Sequence, residues 1–191
     1  MVKLILASNS PRRRELLSGL GLDFEVRVLQ GIDESYPADL REGDIPLYIS
    51  RAKAQVYLSS LSEDELLITA DTIVWLDGEV LEKPKDEADA CRMLRELSGK
   101  THQVFTGVCL TTKEKQVAFS CRTDVTFARL DEEEIQHYVE TYRPLDKAGA
   151  YGVQEWIGYI GVERVEGSYF NVVGLPVQRL YQTLKQNFNI L

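Results

Sequence analysis

The sequence predicts an α/β fold in which a central mixed sheet carries helices on its outside. Three observations point there. Apolar strand-like runs alternate with helical patterns from Val2 to Leu97. Paired strand-like runs then fill the stretch from His102 to Leu130. An amphipathic helix follows Pro176 near the end of the chain.

The elements follow in order. "VKLILAS" reads as an apolar, central strand. Ser10 can cap the next helix, and Pro11 can take its first position, where a missing N–H costs nothing. Leu16, Leu17 and Leu20 share one side of that helix, and Gly21 can end it. "FEVRV" alternates as a half-buried strand. Ile45, Ile49, Ala52 and Val56 mark the inner face of a second helix. "LLITAD" is a strand expected to end at Asp71, and "DTIVWLDGEVLEKP" a hairpin around Asp77-Gly78. Asp86 to Leu97 is helical, with Ala90, Leu94 and Leu97 inward and Gly99 near the stop. "HQVFTGVCLTT" and "QVAFSCRTDVTFARL" flank a polar turn at Lys113-Glu114-Lys115. Asp131 to Thr141 is helical, and a Gly-rich polar segment runs from Asp146 to Gly152. "EGSYFNVVGLP" reads as a strand with a polar lead-in, and Gly174-Leu175-Pro176 opens a last helix through about Phe188.

A chain of 191 residues fits one large domain or two closely joined lobes, with a split near residue 80 and no linker. The net charge of -8 argues against a protein that coats nucleic acid by releasing counterions. It leaves room for a small basic pocket. Cys91, Cys109 and Cys121 form neither a disulfide framework nor a short-spaced zinc pattern, which points to a reducing cytoplasm. No run approaches a membrane span, and "VKLILA" is too short for a signal segment.

"SPRRRELL" places three arginines at a helix start, where the free N–H groups and the dipole favour anions. Like charges meet there, and a bound polyphosphate would resolve the conflict. The side chains lie about 100° apart around the helix, so they cannot share one task. Arg12 and Arg13 lie nearest the N-terminus, while Arg14 reads as solvated surface.

Asp71, at the end of "ITAD", could orient or deprotonate water or hold a divalent ion, and could equally cap a turn. Asp33 and Glu34 follow a strand and could join it around a hard cation. Lys53 lies between Ala52 and Ala54 and reads first as a snorkelling surface lysine. Lys83, before Pro84, is a locally fixed positive charge. In "DKAGAYGVQ", small residues permit close backbone approach, and Gln154 could read a base edge. Ser168 and Asn171 fit ligand contacts or turn hydrogen bonds equally well. His102 and His137 lie in unlike segments and suggest no metal cluster, and no phosphate-loop motif GxxxxGK[ST] occurs.

Taken together, "LASNSPRRRELL", "IDE", "ADTIV", "LEKPKD", "LSGKTHQVFTG", "DKAGAYGVQ" and "GSYFNVVGLP" resemble the Maf family of nucleoside triphosphate pyrophosphatases, in order, from Leu6 to Pro176. The resemblance implies an ITPase-like mixed α/β fold with two lobes around a cleft. It implies hydrolysis of a nucleoside triphosphate to the monophosphate and pyrophosphate with a divalent metal, Mg²⁺ or Mn²⁺, and a possible homodimer. "SPRR", "ADT" and "GVQ" resemble the branch acting on dTTP and UTP. On that resemblance Asp71 is the proton acceptor, and Arg12, Thr72 and Gln154 set specificity. Arg13, Lys53 and Lys83 face phosphate, Ser8 is the first-loop serine, and Glu34 joins Asp71 at the metal. Two departures are Glu82, where the family usually has glycine before the Lys-Pro pair, and Glu155, where it usually has glycine after the glutamine. An ITPase-like enzyme for non-standard purine triphosphates, or a non-enzymatic nucleotide-binding regulator of septum formation, is the alternative.

Overall fold

The computed structural model describes residues 2–190. Fourteen regular elements follow one another: β1 (Lys3–Leu6), α1 (Pro11–Ser18), β2 (Phe24–Val26), α2 (Asp44–Tyr57), β3 (Glu65–Leu76), β4 (Glu79–Leu81), α3 (Glu87–Leu97), β5 (Thr101–Thr111), β6 (Gln116–Phe127), α4 (Glu132–Tyr142), α5 (Trp156–Gly161), β7 (Val162–Glu166), α6 (Tyr169–Val173) and α7 (Val177–Phe188). Seven strands make one sheet in the order β2-β1-β3-β5-β6-β7, with β4 added on β3. β1 runs parallel to β2 and β3, whereas β4 and β7 are antiparallel to β3 and β6. The fold is therefore the mixed α/β class expected. No helix among the described residues is long and apolar enough to cross a membrane.

The chain divides into two compact units. The first comprises the chain up to Asp71, Thr106–Cys121 and the chain from Gly174; the second comprises Thr72–Phe105 and Arg122–Val173. The division falls inside β3, β5 and β6, not near residue 80.

In the first unit the period-two alternation of strands is visible directly. Leu4, Leu6, Leu66, Ile68 and Ala70 pack with Leu17 of α1 and Leu180 and Leu184 of α7. Ile5 and Leu67 face the other way, toward Ala54 and Tyr57 of α2. Burial on both faces explains why these strands read as continuous apolar runs. The second unit packs Val74, Leu76, Val104, Val125 and Phe127 against α3 and α4 through Leu94, Leu97, Ile135 and Tyr138.

Four expectations are corrected. Helix α1 stops at Ser18, with Gly19 as its cap, before the positive φ of Gly21 turns the chain. The inner face of α2 is Ile45, Ile49, Ala54 and Tyr57, while Val56 is 48% exposed. Tyr57 buries more apolar surface than Val56, and its hydroxyl accepts the Leu29 N–H at 2.8 Å, which sets the helix's rotation. β3 does not end at Asp71 but continues through β-branched Thr72, Ile73 and Val74 to Leu76. Finally, "SYFNVV" is not a strand: the strand is the earlier β7, and α6 follows it. Gly167, at φ 123°, breaks the chain where a Cβ would lie 2.9 Å from Thr123 Oγ1. Buried Asn171 then donates to Val104 O and Thr123 Oγ1, and Ser168 Oγ accepts the Asn171 N–H. Those bonds give both residues structural work.

Candidate active site

The site grows from the end of β1. Its parallel ladder with β3 runs to Leu6 opposite Ile68, and the Ala7 amide still donates to the Ile68 carbonyl at 3.0 Å. The chain then leaves the sheet at Ser8. Alternate strand carbonyls face the same side, so the Ala70 carbonyl faces the lane that β1 has vacated. Two cations take it: Arg13 Nη1 and Lys53 Nζ each donate to it at 3.2 Å.

A pair of serines builds the turn that delivers Arg13. Buried Ser8 accepts the Ser10 N–H at 3.2 Å, and Ser10 Oγ accepts the Arg13 N–H at 3.4 Å as the N-cap of α1. Arg13 Nε also donates to the Gly174 carbonyl at 2.8 Å, so this side chain locks α1 to β3 and to the start of the final helix. Burial lowers its pKa from the ordinary value; neighbouring Asp71 is the largest opposing influence, and Arg12 adds to the lowering. Arg12 is half-buried and Arg14 exposed.

Helix α2 presents Lys53 inward, against the expectation of a surface lysine. Its Nζ lies 3.0 Å from Glu34 Oε1 and 3.1 Å from Asp71 Oδ1. With the Ala70 carbonyl, that makes one acceptor for each ammonium N–H. The Lys53 and Asp71 side chains are 13% and 14% exposed, and Glu34 is 57% exposed. Burial pushes the Asp71 carboxyl above its ordinary pKa, while Lys53 and then Arg13 hold it back. Asp33 instead accepts the Ser35 N–H at 2.9 Å, so only Glu34 of that acidic pair turns to the lysine.

The donor chemistry suits a hard divalent cation. Two carboxylates already converge on one positive charge, and both offer oxygen ligands. Among the described residues, no group of three or more His, Cys, Asp or Glu could hold a metal. Glu34 and Asp71 could supply two oxygen ligands to such an ion, which would need further ligands from water or substrate.

Ser8, Arg13, Glu34, Lys53 and Asp71 all belong to the first unit, and hydrogen bonds or ion pairs link Arg13, Lys53, Glu34 and Asp71 directly or through Ala70. Thr72, Lys83 and Gln154 belong to the second. Thr72 is half-buried and, as the next strand residue, faces away from Asp71. Lys83 is exposed just after β4. Gln154 is exposed on the turn before α5, where the Glu155 N–H donates to the Gly152 carbonyl at 2.9 Å. Tyr151 is core: its hydroxyl lies 2.6 Å from Nε2 of buried His102, whose pKa burial lowers to about 4.

Sequence reasoning missed the backbone carbonyls of Ala70 and Gly174, which carry no residue-type signal. It also missed Gly107, where a Cβ would lie 2.3 Å from the Pro46 carbonyl carbon. An isolated glycine inside the strand run "HQVFTGVCL" was the available signal, because such a residue marks close backbone approach.

A family model described as Maf-like protein matches residues 3–187. Curated relatives named dTTP/UTP pyrophosphatase come from Bacteroides thetaiotaomicron, Porphyromonas gingivalis and Flavobacterium psychrophilum. They are 64%, 56% and 50% identical, over 96%, 96% and 94% of this chain and 95%, 93% and 91% of theirs. Among solved structures, the Ham1 protein of Staphylococcus aureus aligns over 66% of this chain and 72% of its own, at TM-score 0.49 and 14% identity. A nucleoside-triphosphatase, dITP/XTP pyrophosphatase, of Mycobacterium abscessus aligns over 98% and 97%, at TM-score 0.43 and 17% identity.

Proposed function

The chain belongs to the Maf-like protein family, and from that premise we propose how its residues work as a nucleoside triphosphate pyrophosphatase acting on dTTP and UTP. The products are the nucleoside monophosphate and pyrophosphate. The names of relatives up to 64% identical over nearly the whole chain support the substrates. The observation that carries the chemistry is the Asp71 carboxylate, only 14% exposed, paired with the Lys53 ammonium that Glu34 also meets, with the guanidinium of Arg13 nearby.

In the reaction, water attacks the α-phosphorus and the bond from that phosphorus to the pyrophosphate oxygen breaks. Asp71 takes the proton of the attacking water. Its raised pKa favours that role, since a buried carboxylate binds a proton more readily than a solvated one. Lys53, Arg13 and Lys83 supply positive charge to the phosphates, with Ser8 shaping the first loop. Arg13 does so as a fixed charge, because two backbone carbonyls anchor it. Glu34 and Asp71 would hold the divalent cation, Mg²⁺ or Mn²⁺, which when bound withdraws charge from phosphoryl oxygens. Arg12, Thr72 and Gln154 select the pyrimidine. A homodimer and a cytoplasmic setting belong to the same proposal.

The test is pyrophosphate release from dTTP, UTP, ITP and XTP, each with Mg²⁺ or Mn²⁺. A preference for dTTP and UTP supports the reading. A preference for ITP and XTP overturns the pyrimidine assignment, and binding without pyrophosphate release overturns the enzyme.

A further inference from the structure

The second unit contains a charged arrangement that the reaction does not use. Lys147 Nζ lies 3.0 Å from Glu155 Oε1 and 2.9 Å from Asp146 Oδ1. The Lys147 and Glu155 side chains are only 14% and 17% exposed. Glu155 is the N-cap residue of α5, yet its side chain makes no capping bond to that helix. The carboxylate folds backward instead, across Gly152.

That fold-back leaves no space. A Cβ on Gly152 would lie 2.5 Å from Glu155 Oε1 and 3.0 Å from Lys147 Cε. The same Gly152 donates its N–H to the Tyr138 hydroxyl at 3.0 Å and accepts from the Glu155 N–H at 2.9 Å. From the other side α5 presses in: a Cβ on Gly158 would lie 1.8 Å from the Val153 carbonyl oxygen. Every residue flanking Gln154 is therefore braced, while Gln154 itself stands exposed between them.

We propose that Glu155, through its ion pair with Lys147, is a positioning residue that fixes the Gly152–Glu155 turn and so aims Gln154 for base discrimination. The proposal rests on the reading of Gln154 as the base-facing residue. A half-buried ion pair is a poor source of stability, because desolvation opposes the attraction, but it is specific about geometry. An amide that must meet a base edge gains from exactly such support, since neighbouring residues that do not hold it let it rotate away.

The experiment measures kcat and KM for dTTP, UTP and ITP in the wild type, Gln154→Ala, Glu155→Gln, Lys147→Met and the Gln154→Ala/Glu155→Gln double variant. Hydrogen exchange of the residue 155 amide is followed in each. Glu155→Gln should cut the preference for dTTP over ITP about tenfold, mainly through KM for dTTP, as expected for coupled neighbours. Exchange of the residue 155 amide should quicken about tenfold while the β1 amides keep their protection. The double variant should discriminate no worse than Gln154→Ala alone. Lys147→Met breaks the same pair from its other end and should reproduce both effects if Glu155→Gln fails to fold. Unchanged preference and unchanged exchange in both single-charge variants overturn the proposal, as does an additive loss in the double variant. If Gln154→Ala itself leaves the preference intact, the base-facing reading falls and takes the clamp's role with it.

Discussion

Gly107→Ala isolates one steric fact. Gly107 lies in β5 outside the left-handed region, so its backbone conformation suits alanine. Space does not: the new Cβ would meet the Pro46 carbonyl carbon and oxygen at 2.3 Å and the Leu47 nitrogen at 2.4 Å. Ordinary contact begins at 3.4 Å, so the start of α2 must retreat by about 1 Å. All three obstacles are backbone atoms and cannot rotate aside. Overpacking of this kind costs about 3 kcal/mol, which lowers Tm by about 6–12 °C for a chain of this size. The displaced helix carries Lys53, whose Nζ has acceptors at 3.0, 3.1 and 3.2 Å. A shift of about 1 Å there should reduce kcat/KM for dTTP about 100-fold. Calorimetry and pyrophosphate-release kinetics on one preparation read both effects. A Tm within about 1 °C of wild type refutes the packing argument. A lowered Tm with kcat/KM intact shows that α2 yields without moving the lysine.

Asp71→Asn should lower kcat by about 10²–10⁴-fold and leave Tm within a few degrees, and wild-type turnover in the folded variant would remove Asp71 as the base. Because burial raises the Asp71 pKa, the acidic fall in kcat/KM should come at a higher pH than for an ordinary aspartate; a pH–rate profile checks this. Arg27→Met should destabilise the fold by about 3–5 kcal/mol in urea titrations, because it strips Glu65, 5% exposed, of both guanidinium bonds. Arg27 holds the Glu65 carboxyl down to about 2 from an ordinary 4.5. That contribution is present above about pH 4.5 and is lost as pH falls toward 2, so the variant should lose less stability than wild type between pH 5 and pH 3.

Legibility in the sequence followed physical locality. The Ser10 cap, the hairpin at Asp77-Gly78 and the Asp86 and Asp131 helix starts depend on residues three or four apart, and the structure has all four. The rotation of α2 depends on what lies against it, so Lys53 read as surface until Tyr57 set the phase. Strand β7 and helix α6 depend on Asn171 reaching Val104, sixty-seven residues away in sequence, and no local pattern encodes that. At the site, motifs pointed to Arg13, Glu34, Lys53 and Asp71 as residue types, whereas the carbonyl of Ala70 that joins Arg13 to Lys53 is invisible to any reading of side chains.

The first unit is assembled from the beginning, middle and end of the chain. On the ribosome, therefore, the strand bearing Asp71 emerges long before the helix that covers it. At about 5–20 residues per second, the stretch from Asp71 to Gly174 takes roughly 5–20 s to synthesise. Through that interval Arg13 lacks its Gly174 partner, and Leu6 and Ile68 lack Leu180 and Leu184. The nascent half-unit exposes apolar strands, and a nonsense codon at the start of α7 would strip Leu180 and Leu184 from that core while leaving Ser8, Arg13, Glu34, Lys53 and Asp71 in the chain.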